Sequence, residues 1–123
     1  MTDIDFIGDI HGHADKLEEL LLKLEFKRDG KGYRHSSRKV LFVGDYIDRG
    51  PDNPRVVELV RAMVDKGQAI ALSGDHEFNA VCFNTLTSEG YVRPHIIKNY
   101  KQHSETMLQF HGKQEAYLSL IHI

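Results

Sequence analysis

A single cysteine, Cys82, is all this chain has, so no internal disulfide can staple it, and its setting is read as reducing and cytoplasmic. Positive charge is not in excess either. The 16 Lys and Arg against 18 Asp and Glu leave a formal net charge of −2, without the basic footprint of nucleic-acid binding. No apolar run approaches the roughly 18–20 residues needed to cross a bilayer, so no membrane partner is expected. The opening residues MTDIDFIGD carry neither a positive n-region nor the apolar core of a secretory signal. Internal repeats, low-complexity tracts and linkers are missing, and the 123 residues are read as one domain. A Gly-x-Gly-x-x-Gly run is missing as well. In GDIHGH the second glycine comes too late, and His11 stands where a small residue is wanted, which argues against a dinucleotide-binding turn. What remains, 41% hydrophobic and 28% charged, is the composition of a globular protein.

The hydrophobic pattern alternates between strand and helix. Residues 3–7 form a short apolar run with β-branched members, a strand. Residues 14–24 place Leu17, Leu20, Leu21 and Leu24 at helical spacing with charge opposite. Residues 27–38 are polar and contain glycine, a turn or small hairpin. Residues 40–43 are continuously apolar, as in a strand of a parallel sheet. Gly50 and Pro51 break the chain, and Asn53 is then placed to cap a helix that carries Val57, Leu59, Val60, Met63 and Val64 inward and stops at Gly67. Residues 69–72 make a third strand. The order βαβαβ predicts parallel pairing with right-handed crossovers. Beyond it, residues 78–83 are expected to be helical, 85–94 a loop, and 96–110 a weaker amphipathic helix with Ile96, Ile97, Tyr100, Met107, Leu108 and Phe110 as its apolar face. Residues 115–123 are ambiguous between helix and strand.

Three runs share one design, an apolar strand followed by glycine and an acid: IDFIGDIHG, VLFVGDYIDRG and AIALSGDHE. Open α/β sheets bind ligands at the carboxyl ends of their strands, so Asp9, Asp45 and Asp75 would be delivered to one place, where three carboxylates need a cation. Asp9 with His11 offers an oxygen and a nitrogen, a pair that suits Mn, Fe, Ni, Co or Zn better than Mg or Ca. Asp45 can bridge two cations. Asp48 and Arg49 are either a surface ion pair or a carboxylate beside a phosphate clamp, arginine's planar fork being suited to phosphate. Histidine is the side chain type suited to proton donation near neutral pH, which gives His76 that role, and Asp48 could orient it. Glu77 is assigned to supporting a helix N-terminus. Together these residues point to metal-assisted phosphoester hydrolysis. His95, His103 and His111 lie in polar stretches and are expected at the surface. Cys82 is expected to be buried. Tyr91, Arg93 and Pro94 are read as a loop, either solvent-exposed or rimming the site.

Taken together, GDIHG, GDYIDRG and GDHE resemble the signature of calcineurin-like metallophosphoesterases, in particular the branch of Ser/Thr protein phosphatases and symmetrical diadenosine tetraphosphatases. The resemblance covers residues 3 to about 83. It implies two packed mixed sheets flanked by helices and a binuclear centre of divalent transition metal, foremost Mn2+. It implies that Asp9 and His11 bind the first metal, that Asp45 bridges and that position 75 binds the second. It further implies that His76 protonates the leaving group, that Asp48 pairs with His76 and that Arg49 holds phosphate, with a water or hydroxide on the metal as nucleophile. Implied substrates are dinucleoside polyphosphates, phosphoproteins or small phosphomonoesters.

Two features depart from that pattern. Family members have asparagine where this chain has Asp75; the extra anion beside Asp45 lowers the effective charge of a bound metal and repels phosphate. Family members also draw two more histidine ligands from later strands. His122, in LSLIHI, comes too soon after GDHE to be counted as one of them. The chain is therefore expected to be the first part of a longer enzyme, with an incomplete second metal site and apolar surface that favours self-association. The alternative function is a catalytically impaired metal- or phosphate-binding fragment.

Overall fold

A computed structural model describes residues 3–112. Three parallel strands form the central sheet in the order β1 (Asp3–Ile7), β4 (Arg38–Phe42), β5 (Ala69–Ala71). The register sets Asp5 beside Val40 and Val40 beside Ala69, with Ile7, Phe42 and Ala71 in line two residues on. Between β1 and β4 come α1 (Ala14–Lys23) and the antiparallel hairpin of β2 (Lys27–Asp29) and β3 (Gly32–Arg34). Helix α2 (Asn53–Asp65) joins β4 to β5. The expected βαβαβ order, parallel pairing and small hairpin are all present.

Each crossover advances one strand in the same direction, so two right-handed connections bring both helices onto one face of the sheet. Ile7, Val40, Phe42 and Ala69 point to that face and pack with Leu17 and Leu21 of α1 and Val56, Val57, Leu59, Val60 and Met63 of α2. The other face is bare: Phe6 is 72% exposed and Ile70 56%, with Ile4, Val43 and Leu72 beside them. The described residues contain this one three-stranded sheet and two hairpins, without a second sheet facing it. No helix among them is long and apolar enough to cross a membrane.

Several local expectations change. Asp52, not Asn53, caps α2: its carboxylate accepts the Arg55 N–H at 3.2 Å. That frees the fully buried Asn53 for a tertiary role. Leu20 is exposed and Val64 only half-buried. Helix α3 (Asp75–Asn84) begins three residues before residue 78, because Glu77 accepts the Gly74 N–H at 3.0 Å and starts the helix there. Cys82 is half-buried. Residues 85–94 hold a short hairpin, β6 (Leu86–Thr87) with β7 (Gly90–Tyr91). Helix α4 (Ile97–Gln109) is where expected, but its orientation is inverted. Ile97 is 74% exposed and Leu108 70%, whereas Asn99, His103 and Thr106 are buried along with Phe110. Residues 115–123, His122 among them, lie outside the described residues.

At the start of the sheet the Asp5 carboxylate takes Arg38 Nε at 2.9 Å and a second bond from Nη2. That hydrogen bonding holds the Asp5 carboxyl below its ordinary range. A carboxyl depressed by folding stabilises the protein above its ordinary pKa, and the contribution is lost as pH falls through the folded value. Asp5→Asn is expected to lower the urea midpoint at pH 7, and the gap to the unsubstituted chain should close as the pH falls below about 4. An equal gap at both ends of that range would contradict it.

Candidate metal centre

The three glycine–acid turns meet beyond the carboxyl ends of β1, β4 and β5. Backbone bonds fasten the first two: His11 N–H donates to Asp45 O at 2.8 Å and Gly12 N–H to Tyr46 O at 2.7 Å. The second and third touch through glycine. A Cβ on Gly44, whose φ is 109°, would fall 2.5 Å from Gly74 N; one on Gly74 would fall 2.6 Å from Asp45 N. Only glycine lets these backbones approach so closely.

Glu77 ties the same two turns chemically. Its side chain is fully buried, with Oε1 accepting Asp45 N–H at 2.6 Å and Gly74 N–H at 3.0 Å and Oε2 accepting Tyr46 N–H at 2.9 Å. Burial raises its carboxyl, and the three N–H bonds oppose that rise. The expected role at a helix N-terminus is thus present, and a second role, bracing the Asp45 turn, was not legible in sequence. Tyr46, also fully buried, adds a bond from its hydroxyl to Leu72 O at 2.6 Å, and burial pushes its phenol up.

The polar residues sit on strained backbone. Asp9 (φ 53°), His11 (46°), Asp45 (58°), Asp48 (69°) and Arg49 (78°) are all left-handed, and Glu25 (68°) is the one such non-glycine residue described elsewhere. Each costs about 1 kcal/mol or more, and such strain gathers where side chains must be aimed.

What results is two overlapping groups. Ligand atoms of Asp9, His11 and Asp45 lie within 4.8 Å of one another, and so do those of Asp45, Asp75 and His76. His11 Nδ1 lies 2.9 Å from Ile47 O; a carbonyl only accepts, so Nδ1 carries the proton and Nε2 keeps its lone pair. This is the outer bond that fixes a ligating histidine. Asp45 is raised by burial and by hydrogen bonding with Asp75, while Asp75 is lowered by the same bond. Two carboxylates this close repel one another when ionised, and a cation beside them would relieve that repulsion. Mixed nitrogen and oxygen donors, a fixed imidazole tautomer and adjacent carboxylates fit a divalent transition metal.

His76 belongs to the second group and also reaches inward. Its Nδ1 is 2.8 Å from Asp48 Oδ2, its N–H donates to Asp45 Oδ1 at 3.3 Å, and its ring meets that of His11 edge-on at 4.6 Å. Asp48 is 2% exposed. Burial would raise its carboxyl, but hydrogen bonds from His103, Thr106 and His76 win and hold it below the ordinary range. Arg49 is exposed, with no hydrogen bond or ion pair to the described residues.

The outlying histidines divide three ways. His111 is exposed as expected. His95 is half-buried, stacked between Tyr91 at 3.9 Å and Phe83 at 4.0 Å. His103, expected at the surface, is buried with Nδ1 3.1 Å from Asp48 Oδ1, because α4 turns its polar stripe inward. The spacing of Asn99, His103 and Thr106 on one helix face was the available signal, masked by the apolar residues opposite. Arg93 is held by Gln102 at 2.8 Å.

The sequence profile described as calcineurin-like phosphoesterase matches residues 2–119. The bis(5'-nucleosyl)-tetraphosphatase PrpE of Oceanobacillus iheyensis is 46% identical over 74 residues, 59% of this chain and 30% of its own length. Its counterpart in Halalkalibacterium halodurans is 44% identical over 73 residues, again 30% of that protein. The chain therefore spans about 30% of the length of these curated relatives. Both are named asymmetrical, whereas the motifs pointed to the symmetrical group. A solved protein serine/threonine phosphatase from Saccharomyces cerevisiae is 26% identical and superimposes with a TM-score of 0.51, over 62% of this chain and 22% of that one.

Removing the Glu77 carboxylate leaves the buried Tyr46 N–H and the part-buried Asp45 and Gly74 N–H groups unpaired, at about 1–3 kcal/mol for each group that water does not reach. Glu77→Ala is expected to lose about 3 kcal/mol or more of unfolding free energy in urea, and Glu77→Gln less, since the amide keeps one acceptor oxygen. A loss below about 1 kcal/mol for the alanine variant would show that the brace is dispensable.

Proposed function

The chain belongs to the calcineurin-like phosphoesterase family, and from that premise we propose that it hydrolyses phosphoester or phosphoanhydride bonds in a metal-dependent reaction. The single observation in support is the pair of ligand groups that overlap at Asp45. Asp9, His11 and Asp45 would hold the first cation, foremost Mn2+, with Fe, Ni, Co or Zn as alternatives; Asp45 would bridge to a second, toward Asp75. Such a cation, when bound, supplies positive charge to phosphoryl oxygens and acidifies water.

The protein's own groups do the rest. Arg49, exposed and unpaired among the described residues, donates parallel N–H bonds to phosphate oxygens. His76, its Nδ1–H on Asp48, turns Nε2 toward the reacting bond. As water oxygen bonds to phosphorus and the phosphorus–oxygen bond to the leaving group breaks, Nε2 gives that oxygen a proton. Asp48, kept ionised by its hydrogen bonds, accepts the His76 Nδ1–H and so holds the ring in place for that transfer. Substrates of this chemistry are dinucleoside polyphosphates, as the relatives' names suggest, phosphoproteins or small phosphomonoesters. The setting is cytoplasmic.

Asp75 favours a second outcome, a chain that binds metal or phosphate with little turnover. It adds an anion beside Asp45, where asparagine would add none. With Mn2+, release of phosphate from p-nitrophenyl phosphate and cleavage of diadenosine tetraphosphate are expected to be slow in the native chain, faster in Asp75→Asn and absent in Asp45→Asn. One tightly bound metal equivalent is expected by calorimetry. Binding without turnover in both the native and Asp75→Asn chains would establish the second outcome. Two tight equivalents would remove the premise that the second site is incomplete.

The bare sheet face gives this chain a further property. Phe6, Ile70, Ile4, Val43 and Leu72 make a contiguous apolar patch of the kind that pairs with a second copy. Light scattering is expected to report a mass above the monomer that rises with concentration, and Phe6→Asp should return it to the monomer. A monomer at all concentrations would refute self-association.

A further inference from the structure

Helix α4 carries its polar residues inward and its apolar residues outward, against the usual direction of burial. The buried stripe has one target. Thr106 Oγ1–H donates to Asp48 Oδ1 at 2.6 Å and His103 Nδ1–H donates to the same oxygen at 3.1 Å, leaving Oδ2 to His76. Thr106 Oγ1 also accepts Asp48 N–H and Asn53 Nδ2–H, both at 3.2 Å. One turn on, Gln109 Oε1 accepts Asn53 N–H at 2.6 Å, and Gln109 Nε2 donates to Gly50 O at 3.1 Å. The helix thus grips the turn after β4 at Asp48, Gly50 and Asn53. The His103 ring also rests on Phe83 of α3, the helix that carries His76, with centroids 5.4 Å apart.

We propose that His103 and Thr106 are positioning residues that act through Asp48 on His76. This rests on His76 being the proton donor proposed above. An aspartate carboxylate rotates broadly about its last torsion. With two donors on Oδ1 it has one orientation, and Oδ2 is fixed as the acceptor for His76 Nδ1–H. That bond sets the tautomer and the ring angle, so Nε2 stays aimed at the Asp45–Asp75 cluster. Without the donors on Oδ1 the carboxylate swings, and the imidazole loses the anchor that holds it. The two residues serve the geometry in different ways: Thr106 also accepts the Asp48 and Asn53 N–H groups, while His103 brings its Nδ1–H donor and a ring that rests on Phe83.

The test is nitrogen-15 NMR of the imidazoles in the full chain, without metal. The native protein should show His76 as the Nδ1–H tautomer with a slowly exchanging Nδ1 proton. In Thr106→Val and His103→Phe that proton should exchange about tenfold faster or more, the equivalent of one lost hydrogen bond, while the backbone spectrum stays folded. Thr106→Ser and His103→Asn, which keep a donor near the same point, should restore it. With Mn2+, kcat should fall about 10- to 100-fold in the two loss variants with KM little changed. Unchanged Nδ1–H exchange in both folded loss variants would overturn the proposal. Should neither fold, exchange in the native chain decides: the His76 Nδ1 proton is expected to open together with the α4 amides, and opening independent of α4 overturns it. If this pattern holds but no metal yields turnover, the hydrolase reading falls and the positioning stands. If turnover occurs while the His76 signals ignore α4, the positioning alone falls.

Discussion

Glu77 brings a carboxylate into the interior with no exposed surface and commits both oxygens to backbone N–H groups. Those N–H groups belong to two turns about thirty residues apart in sequence, the Asp45–Tyr46 turn and the start of α3 at Gly74. Parallel strands leave such turns side by side but do not fix their spacing. The carboxylate does, and with the glycine contact between residues 44 and 74 it brings Asp45 and Asp75 into hydrogen-bonding range. The first turn is then added by the bonds from His11 and Gly12 to Asp45 and Tyr46.

Charge is arranged around that brace in two ways. Asp9, Asp45 and Asp75 face outward, where a cation can compensate them. Asp48 faces inward, where no cation is needed because three side-chain donors satisfy it. A buried carboxylate without such donors would favour its protonated form, which accepts hydrogen bonds less strongly than the ion. The polar stripe of α4 is what makes an ionised Asp48 compatible with burial. Its cost is visible on the other side of the helix, where Ile97 and Leu108 are left in solvent.

The motifs made the strand-end acids legible, because an apolar run, a glycine and an acid are contiguous in sequence. The same holds for the parallel order and for the core stripes of α1 and α2, which follow from local periodicity. The inverted α4 was not legible. Its apolar residues have helical spacing, and periodicity reports which face is apolar, not which face meets a neighbour. The burial of His103 is hidden in the sequence for the same reason. Asp52 and Asn53 are equally good caps by composition, and only the bond from Arg55 N–H to Asp52 separates them.

Sequence by itself determined the strand-and-helix alternation, the three glycine–acid turns and the donor types they carry, since all of these depend on residues near one another along the chain. Tertiary structure alone decided that Glu77 would brace two turns and that α4 would present polar groups to Asp48. Each of those depends on groups far apart in the chain, where the free energy of satisfying buried N–H groups and a buried carboxylate outweighs the local preference of a helix for its apolar side.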